Sequence, residues 1–120
     1  MKFIQADERE PVQAEGYTKH ILLNAADLQN DGALVQIVTI QPGDTIADHY
    51  HRRTREFYMV VQGSCQLTVN GEQSLLQPGD MLLIEPGDVH RLTNNGSGPF
   101  SLLVFKTNAD NDTHWPSPEQ

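Results

Sequence analysis

The sequence predicts an all-β domain, and three observations predict it. From about Ala33 onward, short apolar runs alternate with Pro-Gly, Asn-Gly and Gly-Asp pairs at the spacing of a sandwich or barrel. The runs are rich in Val, Ile, Leu, Thr and aromatic residues, which suit a pleated, half-buried surface. None is long enough for an amphipathic helix.

Taken in order, the first 16 residues are polar and acidic, and "EGYTKHILLN" offers an edge strand. "AADLQNDG" makes at best one turn of helix. The strands expected after it are "ALVQIVTI", "EFYMVV", "CQLTV", "MLLIE", "VHRLT" and "FSLLVF". "QPGD" at 41–44 and 77–80 and "EPGD" at 85–88 each join proline's fixed φ to glycine's freedom, so all three are read as tight turns. Asn70-Gly71 favours a type I′ hairpin. Residues 1–32 thus form a polar segment with a possible edge strand, 33–106 the domain body, and 107–120, rich in Asn, Asp, Ser and Pro, a loose tail.

With 120 residues the chain is one domain by length. Its net charge of −8 argues against nucleic acid and against an anionic membrane surface, since both need clustered positive potential. The single cysteine, Cys65, has no internal disulfide partner, and the start "MKFIQADERE" lacks the apolar stretch of a secretion signal. No run approaches the roughly 18 apolar residues of a membrane span. The expectation is a cytoplasmic protein whose partners are small molecules.

In "CQLTV" only alternate residues are apolar, whereas "EFYMVV" and "FSLLVF" are apolar on both faces, so something must cover the outer face of those strands. A second copy of the chain is the simplest cover, and a homodimer is expected. Alternation points Tyr58 and Val60 inward with Glu56, and Leu92 inward with His90, leaving Phe57, Met59 and Val61 outside.

The stretch "GDTIADHYHRRTREFYMVVQG", residues 43–63, carries the chemistry. Side chains at alternate positions of a strand share a face, so His49 and His51 point together while Tyr50 points away. After "RRTR" the next strand begins at Glu56, and a neighbouring strand lies only about 4.8 Å away. Imidazole nitrogen and carboxylate oxygen suit a borderline divalent ion such as Mn, Fe, Co, Ni or Zn. Read alone, the pair is first a polar strand end with surface ion pairs, which are common.

The spacing of the whole stretch adds to this. Gly43, His49, His51, Glu56 and Gly63 resemble, position by position, the first motif of the cupin superfamily; Gly79, Asp80, Gly87, His90 and Asn94 resemble the second. One departure is Glu85, where the family usually has proline. The resemblance covers about residues 33–105. It implies a cupin-type antiparallel β-barrel, also called a double-stranded β-helix or jelly roll. It also implies one divalent transition metal (Fe, Mn, Ni, Zn or Co) held by His49, His51, Glu56 and His90. The chemistry it implies is, first, that of a metal-dependent dioxygenase or related oxidoreductase. Second comes a sugar or sugar-phosphate isomerase or epimerase, and third a non-catalytic small-ligand module.

Other conspicuous residues have plainer readings. His20 and His114 lie outside both motifs and are read as surface residues, and Cys65 as a packed core residue. Arg52, Arg53 and Arg55 are read as partners of surface carboxylates ahead of substrate capture. Trp115 docks either on the domain or on a partner. Tyr58, inward beside Glu56, is the candidate catalytic acid, with packing as its ordinary role.

Overall fold

The structure is a computed structural model that describes residues 1–112 and 114–116. The short runs become strands. In chain order these are β1 (Pro11–Ala14), β2 (Tyr17–Leu23), β3 (Leu34–Ile40), β4 (Thr45–His51), β5 (Arg55–Gln62) and β6 (Cys65–Val69). They continue with β7 (Glu72–Leu76), β8 (Met81–Ile84), β9 (His90–Thr93), β10 (Phe100–Thr107) and β11 (His114–Pro116). One helical turn, α1 (Ala25–Leu28), sits between β2 and β3, fixed by a reciprocal cap in which Asn24 and Asp27 each accept from the other's backbone N–H. Among the described residues, no helix is long and apolar enough to cross a membrane.

The turn chemistry follows the sequence. Asp44, Asp80 and Asp88 each donate a backbone N–H to the residue three before, Gln41, Gln77 and Glu85, closing three equivalent Pro-Gly turns. Asn70 and Gly71 both have positive φ, 49° and 86°, as the two-residue β6–β7 reversal requires.

Hydrogen bonding divides the strands into two sheets, β1-β2-β3-β10-β5-β8 and β11-β4-β9-β6-β7. All paired strands run antiparallel. The architecture is all-β and of jelly-roll type, but the expected closed barrel is corrected. Among the described residues no ladder joins one sheet to the other, so the layers meet through side chains. That interface is the core: Ile40, Tyr58, Val60, Cys65, Leu67, Ile84, Leu92, Phe100, Leu102 and Val104 are all buried. On β5 burial alternates strictly from Arg55 to Val60, with Glu56, Tyr58 and Val60 inside, as parity predicted.

Part of the segment expected as a tail pairs with the domain body. Thr107 still belongs to β10, and His114–Pro116 pair with β4, while Thr113 and residues 117–120 lie outside the described set. The anchor is polar. Asp112 Oδ2 accepts from the backbone N–H of Arg53 and Thr54 and from the Thr54 hydroxyl, each at 2.8 Å. Arg53 donates to the Asp110 carbonyl, and the Arg52 guanidinium lies 3.5 Å over the Trp115 ring. Trp115 therefore docks on its own domain.

Candidate metal centre

Both sheets contribute to one site. β4 supplies His49 and His51, β9 supplies His90, and β5 supplies Glu56 from the opposite layer. The β4–β9 register sets His49 directly against His90. One ligand-capable atom from each of the four residues lies within 4.8 Å of the others. The sequence-predicted ligands are thus brought together, and three of the four are buried.

The motif residues that bear no ligand shape this arrangement. A Cβ on Gly63, whose φ is +75°, would fall 2.4 Å from the Pro99 carbonyl oxygen, so only glycine fits after β5. Asn94, wholly buried, donates to the carbonyls of Ile40 and Gly98 and accepts from the Gly96 N–H, tying down the chain after β9.

Ring orientation is set from behind. Nδ1 of His49 lies 2.7 Å from the Ala47 carbonyl oxygen and Nδ1 of His90 lies 2.8 Å from that of Asp88. A carbonyl oxygen only accepts, so in each neutral ring the proton sits on Nδ1 and Nε2 presents a lone pair. Oε1 of Glu56 lies 2.9 Å from Nε2 of His51 and 3.4 Å from Nε2 of His90. Both Oε1 of Glu56 and Nε2 of His90 are sealed from solvent, and neither makes a hydrogen bond. Two lone-pair donors this close repel unless a cation lies between them, and a neutral-imidazole, carboxylate donor set is what a divalent transition ion takes.

The ionisation states agree. Burial, and secondarily the His90 ring, lowers His49 to about 4, keeping it neutral and able to donate. Tyr58 donates its hydroxyl to Glu56 Oε2 at 3.3 Å. Burial and the Glu56 charge raise its own pKa well above the usual value.

An inner cavity of about 50 Å³ opens beside the ligands, lined by Val38, Leu92, Leu102 and Val104 together with Tyr17, Gln36, Tyr58, Lys106 and His114. It adjoins an outer mouth of about 320 Å³ between Tyr17, Ile46, His49 and His114. Sequence reasoning had not assigned Tyr17, Gln36 or Lys106 to the site, yet parity was available for two of them. Gln36 shares a face with Val38 and Ile40, and Lys106 with Leu102 and Val104. His114 is exposed, as expected, but stands at the mouth with its ring 5.3 Å from that of His49.

The remaining residues take the plainer roles. Arg55 pairs with Glu85, 2.6 Å from Nε to Oε1, so the residue that departs from the family pattern serves a surface ion pair. Arg53 pairs with Asp110. None of the three arginines lines the inner cavity. Cys65 is 1 % exposed, with burial pushing its thiol up to about 11, which makes it a packing residue. His20 pairs with Ile37 on the outward side of β3.

Comparison with known proteins agrees with this geometry. A family profile described as a cupin domain matches residues 36–106. The tetracenomycin polyketide synthase protein TcmJ of Streptomyces glaucescens is 26 % identical over 96 residues, which cover 80 % of this chain and 64 % of TcmJ. The chain therefore spans less than two thirds of that relative's length. A predicted oxalate decarboxylase from Thermotoga maritima superposes with TM-score 0.81 at 19 % identity, over 88 % of this chain and 98 % of the other. A sugar phosphate isomerase from Silicibacter pomeroyi superposes with TM-score 0.77 at 22 % identity, over 98 % of this chain and 82 % of the other. At such identities the structural likeness is one of fold.

Proposed function

The chain belongs to the cupin family, and on that premise we propose that it is an enzyme holding one divalent transition metal through His49, His51, Glu56 and His90, and acting on a small oxygen-bearing molecule. The observation that carries this reading is the orphaned pair, Nε2 of His90 and Oε1 of Glu56, buried and turned toward a common point. When bound, such an ion would supply Lewis acidity toward a substrate oxygen and, if redox-active, one-electron chemistry with dioxygen. The protein's share is positional. Tyr58 holds Glu56 by its second oxygen, the backbone carbonyls of Ala47 and Asp88 fix two rings, and apolar walls at Val38, Leu102 and Val104 limit water. Tyr58 is in our reading a positioning residue, since its hydroxyl is committed to Glu56.

The reaction we favour is isomerase-like, moving protons beside a polarised carbonyl. Lys106 supports this, because its ammonium faces the cavity and would stabilise negative charge growing on a substrate oxygen. A dioxygenase is the second reading. It rests on the ligand count, since four protein donors leave two positions on a six-coordinate ion. Elemental analysis of protein purified without a metal column, together with an oxygen electrode, tests both. Iron with oxygen uptake selects the dioxygenase; another metal without uptake selects isomerase chemistry; no metal at all sinks the proposal.

We further propose that the protein works as a homodimer built on the outer face of the β10-β5-β8 region. Cross-strand pairs Phe105–Phe57, Phe57–Leu83, Leu103–Met59 and Met59–Met81 make that face continuous and apolar. Met81, Leu83 and Phe105 are 64 %, 54 % and 38 % exposed, a patch that favours a covering partner.

A further inference from the structure

The inner cavity and the outer mouth share four lining residues, Tyr17, Ile46, His49 and His114, so whatever passes between the two spaces passes these side chains. Three of the four stand on backbone that is held in place. Ile46 and His49 belong to β4, which has β9 on one side and β11 on the other, and His114 opens β11, which pairs with β4. Tyr17 comes from the opposite sheet. It opens β2, and the β2–β3 ladder begins only at the next residue, with Thr18 opposite Thr39. The β1–β2 reversal, Ala14 to Tyr17, therefore projects beyond that ladder, and β1, at the sheet edge, has only β2 for a neighbour.

The tip of this hairpin rests on β4. Gly16 has φ +86°, and a Cβ there would fall 2.0 Å from the Thr45 carbonyl oxygen, so backbone meets backbone with no room for a side chain. Among the described residues no ladder joins the hairpin to β4, which makes the seat a contact between layers and not a pairing. Elements held in this way open at the low end of the local stability scale. Space gives the opening a purpose. About 50 Å³ lies behind Tyr17, against about 320 Å³ in the mouth. A molecule sized for the mouth reaches the four clustered residues only if the throat widens, and Tyr17 is the wall that can withdraw with its pairing intact, since its ladder partner Ala14 moves with it.

We infer that Tyr17 is the size-selecting residue of the site: its ring bars the throat, and the β1–β2 tip, seated on Thr45 through Gly16, lifts to admit a substrate. The bulk of the ring, and not its hydroxyl, sets the opening. The inference rests on the metal reading above only for what lies behind the bar.

Histidine acylation of the chelator-treated full chain tests it, with diethyl pyrocarbonate as the probe and peptide mass spectrometry as the readout. The reagent attacks the unprotonated imidazole nitrogen. His49 and His51 line the inner cavity, whereas His20, on β2, does not. Tyr17→Ala acylates His49 and His51 about tenfold faster than wild type, because the local opening that limits access is no longer needed, while His20 keeps its rate. Tyr17→Phe behaves as wild type. Gly16→Ala keeps the ring but unseats the tip, and accelerates the same two histidines. Three results would overturn the inference: wild-type rates at His49 and His51 in Tyr17→Ala, acceleration in Tyr17→Phe equal to that in Tyr17→Ala, or wild-type rates in a folded Gly16→Ala. Acceleration of His20 in step with the other two would mean general loosening and would equally end it. Metal-loaded Tyr17→Ala should also surrender Mn(II) to chelator faster than wild type. Failure to take up Mn(II) counts against the metal reading alone, and the acylation contrast then decides the inference.

Discussion

His49 and His90 stand opposite each other across the β4–β9 ladder, with ring centroids 4.1 Å apart. Two candidate ligands distant in sequence are thus aligned by strand register, and a slip of one residue would turn either ring to the outer face. The site is as secure as the sheet that carries it, which shapes what its disruption should do.

Chelator should lower the melting temperature of the metal-loaded protein, because an ion bound only by the folded state stabilises it by about 2.7 kcal/mol at a hundred times its dissociation constant. His51→Ala should take up far less than one equivalent of metal and lose the chelator effect, while its circular dichroism stays that of a folded β protein. A full equivalent retained by this variant would remove His51 from the ligand set.

Tyr58→Phe deletes the donor on Glu56 Oε2 and keeps the ring that fills the core. Partners of this kind typically change metal affinity by 10–100-fold, so a drop of about tenfold is expected by competition with a chromogenic chelator. Unchanged affinity with lost turnover would instead make Tyr58 an acid acting on substrate.

The Asp112 carboxyl is held well below its ordinary range: burial raises it, and the Thr54 hydroxyl with the Arg53 and Thr54 backbone N–H groups outweighs burial. A carboxylate depressed in the folded state stabilises above its unfolded pKa of about 3.9 and loses that contribution as pH falls through and below it. Asp112→Asn should therefore melt lower at neutral pH and show a flatter decline below about pH 4. Equal thermal melts for variant and wild type across that range would mean the latch contributes nothing.

Leu83→Arg places a charge in the middle of the proposed dimer face, where wild-type Leu83 is 54 % exposed and pairs with Phe57. Light scattering should report a dimer for the wild type at micromolar concentration and a monomer for the variant, with the same metal content in both. A monomeric wild type would end the proposal.

Alternation made the inner face of β5 legible from the residues alone, and motif spacing pointed to the four residues that cluster, because both depend on neighbours in sequence. Closure of the sheets was not legible: it depends on whether edge strands such as β7 and β8 find partners, which no local pattern encodes. The docking of β11 was equally hidden. It hangs on Asp112 reaching Arg53 and Thr54, residues far away in sequence, and polar contacts of that range leave no periodicity. Gln36 and Lys106 lay in plain view by parity, masked by the apolar runs around them.

Glu56 lies on one layer of the sandwich and the three histidines on the other. An ion held by all four would act as a rivet between layers that share no backbone ladder among the described residues, so its arrival should damp their breathing. Amide hydrogen exchange should slow on metal addition along β5 and β9, while the distal β6–β7 reversal at Asn70-Gly71 keeps its rate.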